Sequence, residues 1–101
     1  MNIAIDFDGV IIKHDKIPTG GINFDDLPME GALDAINLLI EQGNEVWVFT
    51  SNPYKTDIYC WLDKNNFPEL EVTNIKKPAH IYIDDRGLRF TNWQDIRKYF
   101  V

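Results

Sequence analysis

Asn2–Ile3–Ala4–Ile5–Asp6–Phe7–Asp8–Gly9–Val10 is the stretch from which the rest of the chain can be read. Three apolar residues run into two acids separated by one residue, and a glycine follows. A short apolar run before a glycine turn has the pattern of a strand buried on both faces. Side chains alternate along a strand, so Asp6 belongs at its end and Asp8 just beyond, where the chain turns back. Gly9 suits a tight turn that brings backbone close to a ligand. Open α/β sheets bind ligands at the carboxyl ends of their central strands. An ordinary surface Asp-x-Asp-Gly turn would use the same residues. On this stretch alone the two readings stand level, and the remaining sequence has to separate them.

Outward from it, the chain alternates. Residues 10–28 contain Pro18, Gly20, Gly21, Asp25 and Asp26 and read as loop with room for a short hairpin. Residues 29–42 carry Ala32, Leu33, Ile36, Leu39 and Ile40 at helical spacing, with Pro28 before them and Gly43 as the stop. Residues 45–50 form a second apolar, β-branched and aromatic strand. It ends in Thr50–Ser51–Asn52–Pro53, where Asn52 reads as a helix cap and Pro53 as the first helical residue. The helix that follows presents Tyr54, Ile58, Trp61 and Leu62 and runs to about Asn65. Residues 70–75 make a weaker third strand, Lys76–Lys77–Pro78 a loop, and residues 80–84 a fourth strand ending in Asp84–Asp85–Arg86–Gly87. Residues 88–90 suggest a short strand. Thr91 and Gln94 have capping-box spacing for a last helix through Trp93, Ile96, Tyr99 and Phe100. Strands alternating with helices predict a mostly parallel sheet covered on both faces, a three-layer α/β sandwich.

Composition sets the bounds. The 101 residues suffice for one domain, residues 1–101, and its 45% apolar and 13% aromatic content supports a core. A formal charge of −6 argues against nonspecific binding to nucleic acid or anionic membranes. No apolar run approaches membrane-span length, and no basic segment followed by an apolar one opens the chain. Cys60 is the only cysteine, so no internal disulfide forms; this suits a reducing, cytoplasmic setting. It reads as a small buried helical residue rather than a nucleophile. Trp47, Trp61 and Trp93 fall at periodic apolar positions and read as core.

Three strands end in polar residues: Asp6 and Asp8, Thr50 and Ser51, Asp84 and Asp85. In a parallel sheet those ends share one edge. Four carboxylates there repel one another unless a cation joins them, and oxygen-only ligands favour Mg²⁺ with substrate phosphate. A hydroxyl at a strand end before a helix start suits a phosphoryl oxygen. A nearby lysine neutralises phosphate. One aspartate can accept a phosphoryl group while another two residues on moves the proton.

In this order, Asp6–Phe7–Asp8–Gly9–Val10, Thr50, Lys77 and Asp84–Asp85 resemble the four motifs of the haloacid dehalogenase-like superfamily, over residues 3 to about 86. Most members of that family are Mg²⁺-dependent phosphatases working through a phosphoaspartate. The resemblance implies a Rossmann-like core, Asp6 as nucleophile and metal ligand, and Asp8 as general acid/base that gives the metal its backbone carbonyl. It implies Thr50, with neighbouring Ser51 and Asn52, as phosphate binders, and Lys77 as the residue that steadies nucleophile and phosphate, Lys76 being the alternative. Asp84 or Asp85 would hold Mg²⁺. Neither residues 10–28 nor residues 66–78 leave room for the cap domain such proteins usually carry, so the resemblance is to a minimal, capless member.

Two other functions fit an acid cluster with a strand-end hydroxyl and a lysine. A phosphoryl-accepting receiver module would place the acid pair first, whereas here it comes last, after Thr50 and Lys77. A catalytically retired binding domain would not need every expected side chain. The partner expected is a phosphorylated substrate whose class the sequence leaves open. Arg86, which follows the acid pair, is an ion-pair partner or a substrate contact, and His14 a solvated loop histidine or a substrate contact from the flap. Ile17, Ile22 and Phe24 have no evident core partner and are the residues through which a homo-oligomer would cover the open site.

Overall fold

The computed structural model describes residues 1–13, 22–84, 88–89 and 91–99. The elements in chain order are β1 (Asn2–Ile5), α1 (Ala32–Glu41), β2 (Glu45–Phe49), α2 (Lys55–Lys64), β3 (Val72–Thr73), β4 (Ile81–Asp84), β5 (Leu88–Arg89) and α3 (Trp93–Arg97). The sheet order is β3-β2-β1-β4-β5 and every pairing is parallel. This is an α/β architecture with β1 at the centre. Ile5 lies level with Val48 of β2 and Ile83 of β4, so the residues after all three strands meet at one edge.

Strand alternation separates two faces. Ile3, Ile5, Val46, Val48, Val72, Ile81 and Ile83 join one cluster with Ala32, Ala35, Ile36 and Leu39 of α1, Ile58, Trp61 and Leu62 of α2, and Trp93 and Ile96 of α3. At its centre Trp61 meets Phe7 edge-on at 5.4 Å and stacks on Phe67 at 5.7 Å, and its Nε1 donates to the Asp26 carbonyl at 2.9 Å. The opposite face carries Ala4, Trp47, Phe49 and Tyr82. Among the described residues no helix contributes to it, which corrects the expectation of helices on both faces. The reason is the crossover from β3 to β4. It has only residues 74–80 to pass β2 and β1, about 14 Å at strand spacing, and to return to the start of β4. Seven residues reach roughly 25 Å when fully extended, so a helix does not fit. The segment lies across the face as an extended strap, with the Lys77 ammonium 4.5 Å from the Trp47 ring centre and that of Lys76 5.3 Å from Tyr82. Trp47 is buried beneath it, and its Nε1 has no hydrogen-bond partner among the described residues.

Several boundaries move. The expected helix over residues 29–42 starts at Ala32, because Met29 N–H is held by the Ile11 carbonyl at 2.7 Å and Pro28 pairs with Ile12. That antiparallel pairing, extended by Lys13 N–H to the Leu27 carbonyl, closes the loop expected over residues 10–28. Asn52 and Pro53 do not open α2. Asn52 Oδ1 accepts from Tyr54 N–H at 3.0 Å in a turn that precedes the helix. The third strand shrinks from residues 70–75 to two, because Thr73 Oγ1 takes Ile75 N–H and turns the chain away. Asn92, not Thr91, caps α3: its Oδ1 accepts from Asp95 N–H at 2.9 Å. Thr91 donates instead to the Asp95 carboxylate at 2.8 Å. That bond, with the charge of Lys98, holds the Asp95 carboxyl below its ordinary 3.8. The interaction is therefore complete above that value and is lost as falling pH protonates the folded form. Cys60, expected to be buried, is exposed on the outer side of α2. Ile22 packs on the core, Phe24 is exposed, and Ile17 lies outside the described residues. No helix among the described residues is long and apolar enough to cross a membrane.

Gly31 and Gly43, which flank α1, have backbone φ of +84° and +88°. A Cβ at Gly31 would sit 3.1 Å from Trp93 Cβ, whereas one at Gly43 would meet nothing within 4 Å. Both alanine variants carry the left-handed backbone penalty, about 1–3 kcal/mol. Gly31→Ala adds overpacking against a buried tryptophan, about 1–3 kcal/mol more. Urea denaturation of the two variants measures the difference, and equal losses would mean that α1 and α3 do not approach closely.

Candidate active site

The strand ends are held by backbone geometry. Asp6 N–H continues the ladder to the Ile83 carbonyl at 3.2 Å, so Asp6 stands beside Asp84, the last residue of β4. One Asp6 carboxylate oxygen accepts from Phe7 N–H at 2.8 Å, which sets the orientation of the group. Beyond it the chain coils tightly. The N–H groups of Val10, Ile11 and Ile12 converge on the Phe7 carbonyl at 3.2, 2.9 and 3.2 Å, and Gly9 N–H reaches the Ile12 carbonyl at 3.1 Å. This coil carries Asp8 back over the strand end, paired with Ile12. Phe7 is fully buried while Asp6 and Asp8 are half-buried, so the alternation that sinks Phe7 into the core turns both acids to the edge.

Thr50 follows β2 at the same edge. It is 3% exposed, its N–H donates to the Thr73 carbonyl at 3.0 Å, and its Oγ1 accepts from Asn52 N–H at 3.1 Å. Ser51 is exposed and Asn52 is half-buried. The structure thus brings Asp6, Asp8, Thr50, Ser51, Asn52 and Asp84 to one edge. Asp85, Arg86 and His14 lie outside the described residues.

Lys77 is directed elsewhere. Its ammonium pairs with the Glu71 carboxylate while lying over Trp47, which ties it to the strap and the start of β3. Tyr82 reinforces that position by donating its hydroxyl to the Lys77 carbonyl. Lys76 sits over Tyr82, two residues before Asp84 on the same face of β4, and makes no ion pair with a described residue. Of the two lysines, Lys76 is the one whose ammonium is not paired with a described carboxylate.

Thr73, at the end of β3 beside Phe49, was not singled out from sequence. Its signal was a β-branched residue followed by Asn74, an echo of Thr50–Ser51–Asn52, but in a strand too short for alternation to register.

Among the described residues no three His, Cys, Asp or Glu side chains gather as a metal cage. Asp6 and Asp84 on neighbouring strands, with no sulfur or imidazole beside them among the described residues, nonetheless fit the one- or two-carboxylate ligation of Mg²⁺. Compared with family models, with curated proteins and with solved structures, the chain matches none.

Proposed function

We propose that this chain is a Mg²⁺-dependent phosphomonoester hydrolase built on a Rossmann-like, capless core of the haloacid dehalogenase type. The observation that carries the reading is the meeting of Asp6, Asp8, Asp84 and Thr50 at the carboxyl edge of the central strand, with Asp6 oriented by Phe7 N–H. An Asp6 carboxylate oxygen attacks phosphorus and the ester P–O bond breaks. Asp8, as the acid, gives its proton to the departing oxygen. Asp8, now a carboxylate, takes a proton from water as that water attacks the acyl phosphate, releasing phosphate and restoring Asp6. Thr50, Ser51 and Asn52 bind the phosphoryl oxygens. Asp6 and Asp84, with the Asp8 carbonyl and Asp85, would hold Mg²⁺, which when bound supplies positive charge against the anionic phosphate.

The reading is tested by phosphate release from a panel of phosphorylated sugars, nucleotides, lipid head groups and peptides. Turnover is expected with Mg²⁺ and its loss after chelation, with restoration on adding Mg²⁺ back. No release from any member of the panel, or release indifferent to chelation, would overturn it.

Lys76 takes the role of phosphate-facing cation. Lys76→Ala is expected to lower kcat/KM by about tenfold to a hundredfold, the loss of one charge-assisted hydrogen bond. Lys77→Ala is expected to leave kcat/KM within a few-fold, since its ammonium serves Glu71 and Trp47. Steady-state kinetics of both variants decide between them, and the reverse ranking would return the role to Lys77.

A further inference from the structure

We propose that the cleft between the start of α1 and α3 binds a small zwitterion, its ammonium toward Glu30 and Asp34 and its carboxylate toward Arg97. The inference does not depend on the phosphatase reading. The cleft has a volume of about 510 Å³ and is lined by Glu30, Asp34, Gln94 and Arg97 around Met29 and Trp93. That volume lies within the usual small-molecule range of roughly 300–1,000 Å³, and a few polar groups around an apolar floor are the usual lining.

The charges are what select the ligand. Glu30 and Asp34 come from the α1 side and Arg97 from α3, yet none of them makes an ion pair with a described residue. Facing charges ordinarily close on one another when their supports allow it. Here the walls are fixed. Gly31 packs so close to Trp93 that even a Cβ would crowd it, and Trp93 Nε1 donates to the Val10 carbonyl at 2.9 Å. Asn92 and Thr91 are both committed to Asp95. Charges of both signs thus line one cleft whose walls are fixed at Gly31 and Trp93. A simple anion entering it would meet two carboxylates, and a simple cation would meet a guanidinium. A molecule with an ammonium at one end and a carboxylate at the other satisfies both walls, and the Gln94 amide adds a donor beside Arg97. An α-amino acid is the simplest such molecule.

The test is a titration of the ¹⁵N-labelled full chain at neutral pH and constant ionic strength, followed by amide shifts. The probes are glycine and serine, ethanolamine as the amine without the carboxylate, and acetate as the carboxylate without the amine. Saturable shifts of the Gly31, Asp34, Trp93 and Gln94 amides are expected with the amino acids, and binding about tenfold weaker with either half alone. Arg97→Gln and Asp34→Asn, both at exposed positions, are each expected to weaken amino-acid binding about tenfold. No saturable shift with either amino acid would overturn the proposal. Equal affinity for the half-molecules, or unchanged binding in both variants, would overturn it as well.

Discussion

Asp6→Asn is expected to reduce phosphate release by about ten-thousandfold or more, the scale seen when a covalent nucleophile is removed. The amide matches the carboxylate in shape and keeps an oxygen that can accept from Phe7 N–H, now 2.8 Å from the native carboxylate. The turn after β1 therefore survives, and Phe7 stays in the core against Trp61. What is lost is the anionic oxygen that bonds to phosphorus. Three measurements on one sample separate the outcomes: steady-state phosphate release, acid-quench trapping of labelled phosphoenzyme, and a thermal melt. The expected result is no turnover and no trapped intermediate with a cooperative melt retained. Turnover near wild type, in protein whose residue 6 is verified as Asn by mass spectrometry, would remove Asp6 from the nucleophile role.

Asp8→Asn tests the second acid through the leaving group. A sugar-type alkoxide leaves poorly and needs a proton as the P–O bond breaks, whereas nitrophenolate is stable without one. Removing a general acid typically costs about a hundred- to ten-thousandfold. Phosphoenzyme formation from an alkyl phosphate should fall by that much, and the nitrophenol burst from nitrophenyl phosphate should suffer far less. Dephosphorylation should be slow after either substrate, because the same group activates water. Single-turnover kinetics that follow leaving group and phosphate separately will show the split. Equal losses in both bursts would mean that Asp8 serves only the turn that pairs it with Ile12.

The lesson about reading such a chain lies in which interactions are local. Ile3 and Ile5, Val46 and Val48, and Ile81 and Ile83 alternate, and each series runs into a polar residue at the strand end. That pattern alone made the parallel sheet and the shared edge of Asp6, Thr50 and Asp84 legible, because alternation and chain direction are properties of consecutive residues. The periodicity of α1 and α2 was legible for the same reason. Their starts were less so, since Met29 answers to Ile11 and Asn52 to a turn of its own, and neither tie is written in helical spacing.

The tertiary structure decided what depends on distance across the sheet. Seven residues between β3 and β4 look like an ordinary loop until the strand order requires them to pass two strands, and then no helix fits and, among the described residues, that face carries a strap in place of a helix. That strap assigns the lysines. The sequence offered Lys77 with Lys76 as the alternative, but an extended chain turns adjacent side chains to different neighbours, sending Lys77 to Glu71 and Trp47 and Lys76 to Tyr82. The cleft at Glu30, Asp34 and Arg97 is of the same kind, since its two walls are more than sixty residues apart and only the packing of Gly31 on Trp93 brings them together. The sequence by itself determined the strands and the groups at their ends, because backbone alternation enforces those; which charges face one another was left to packing, because it is set by contacts between residues far apart in the chain.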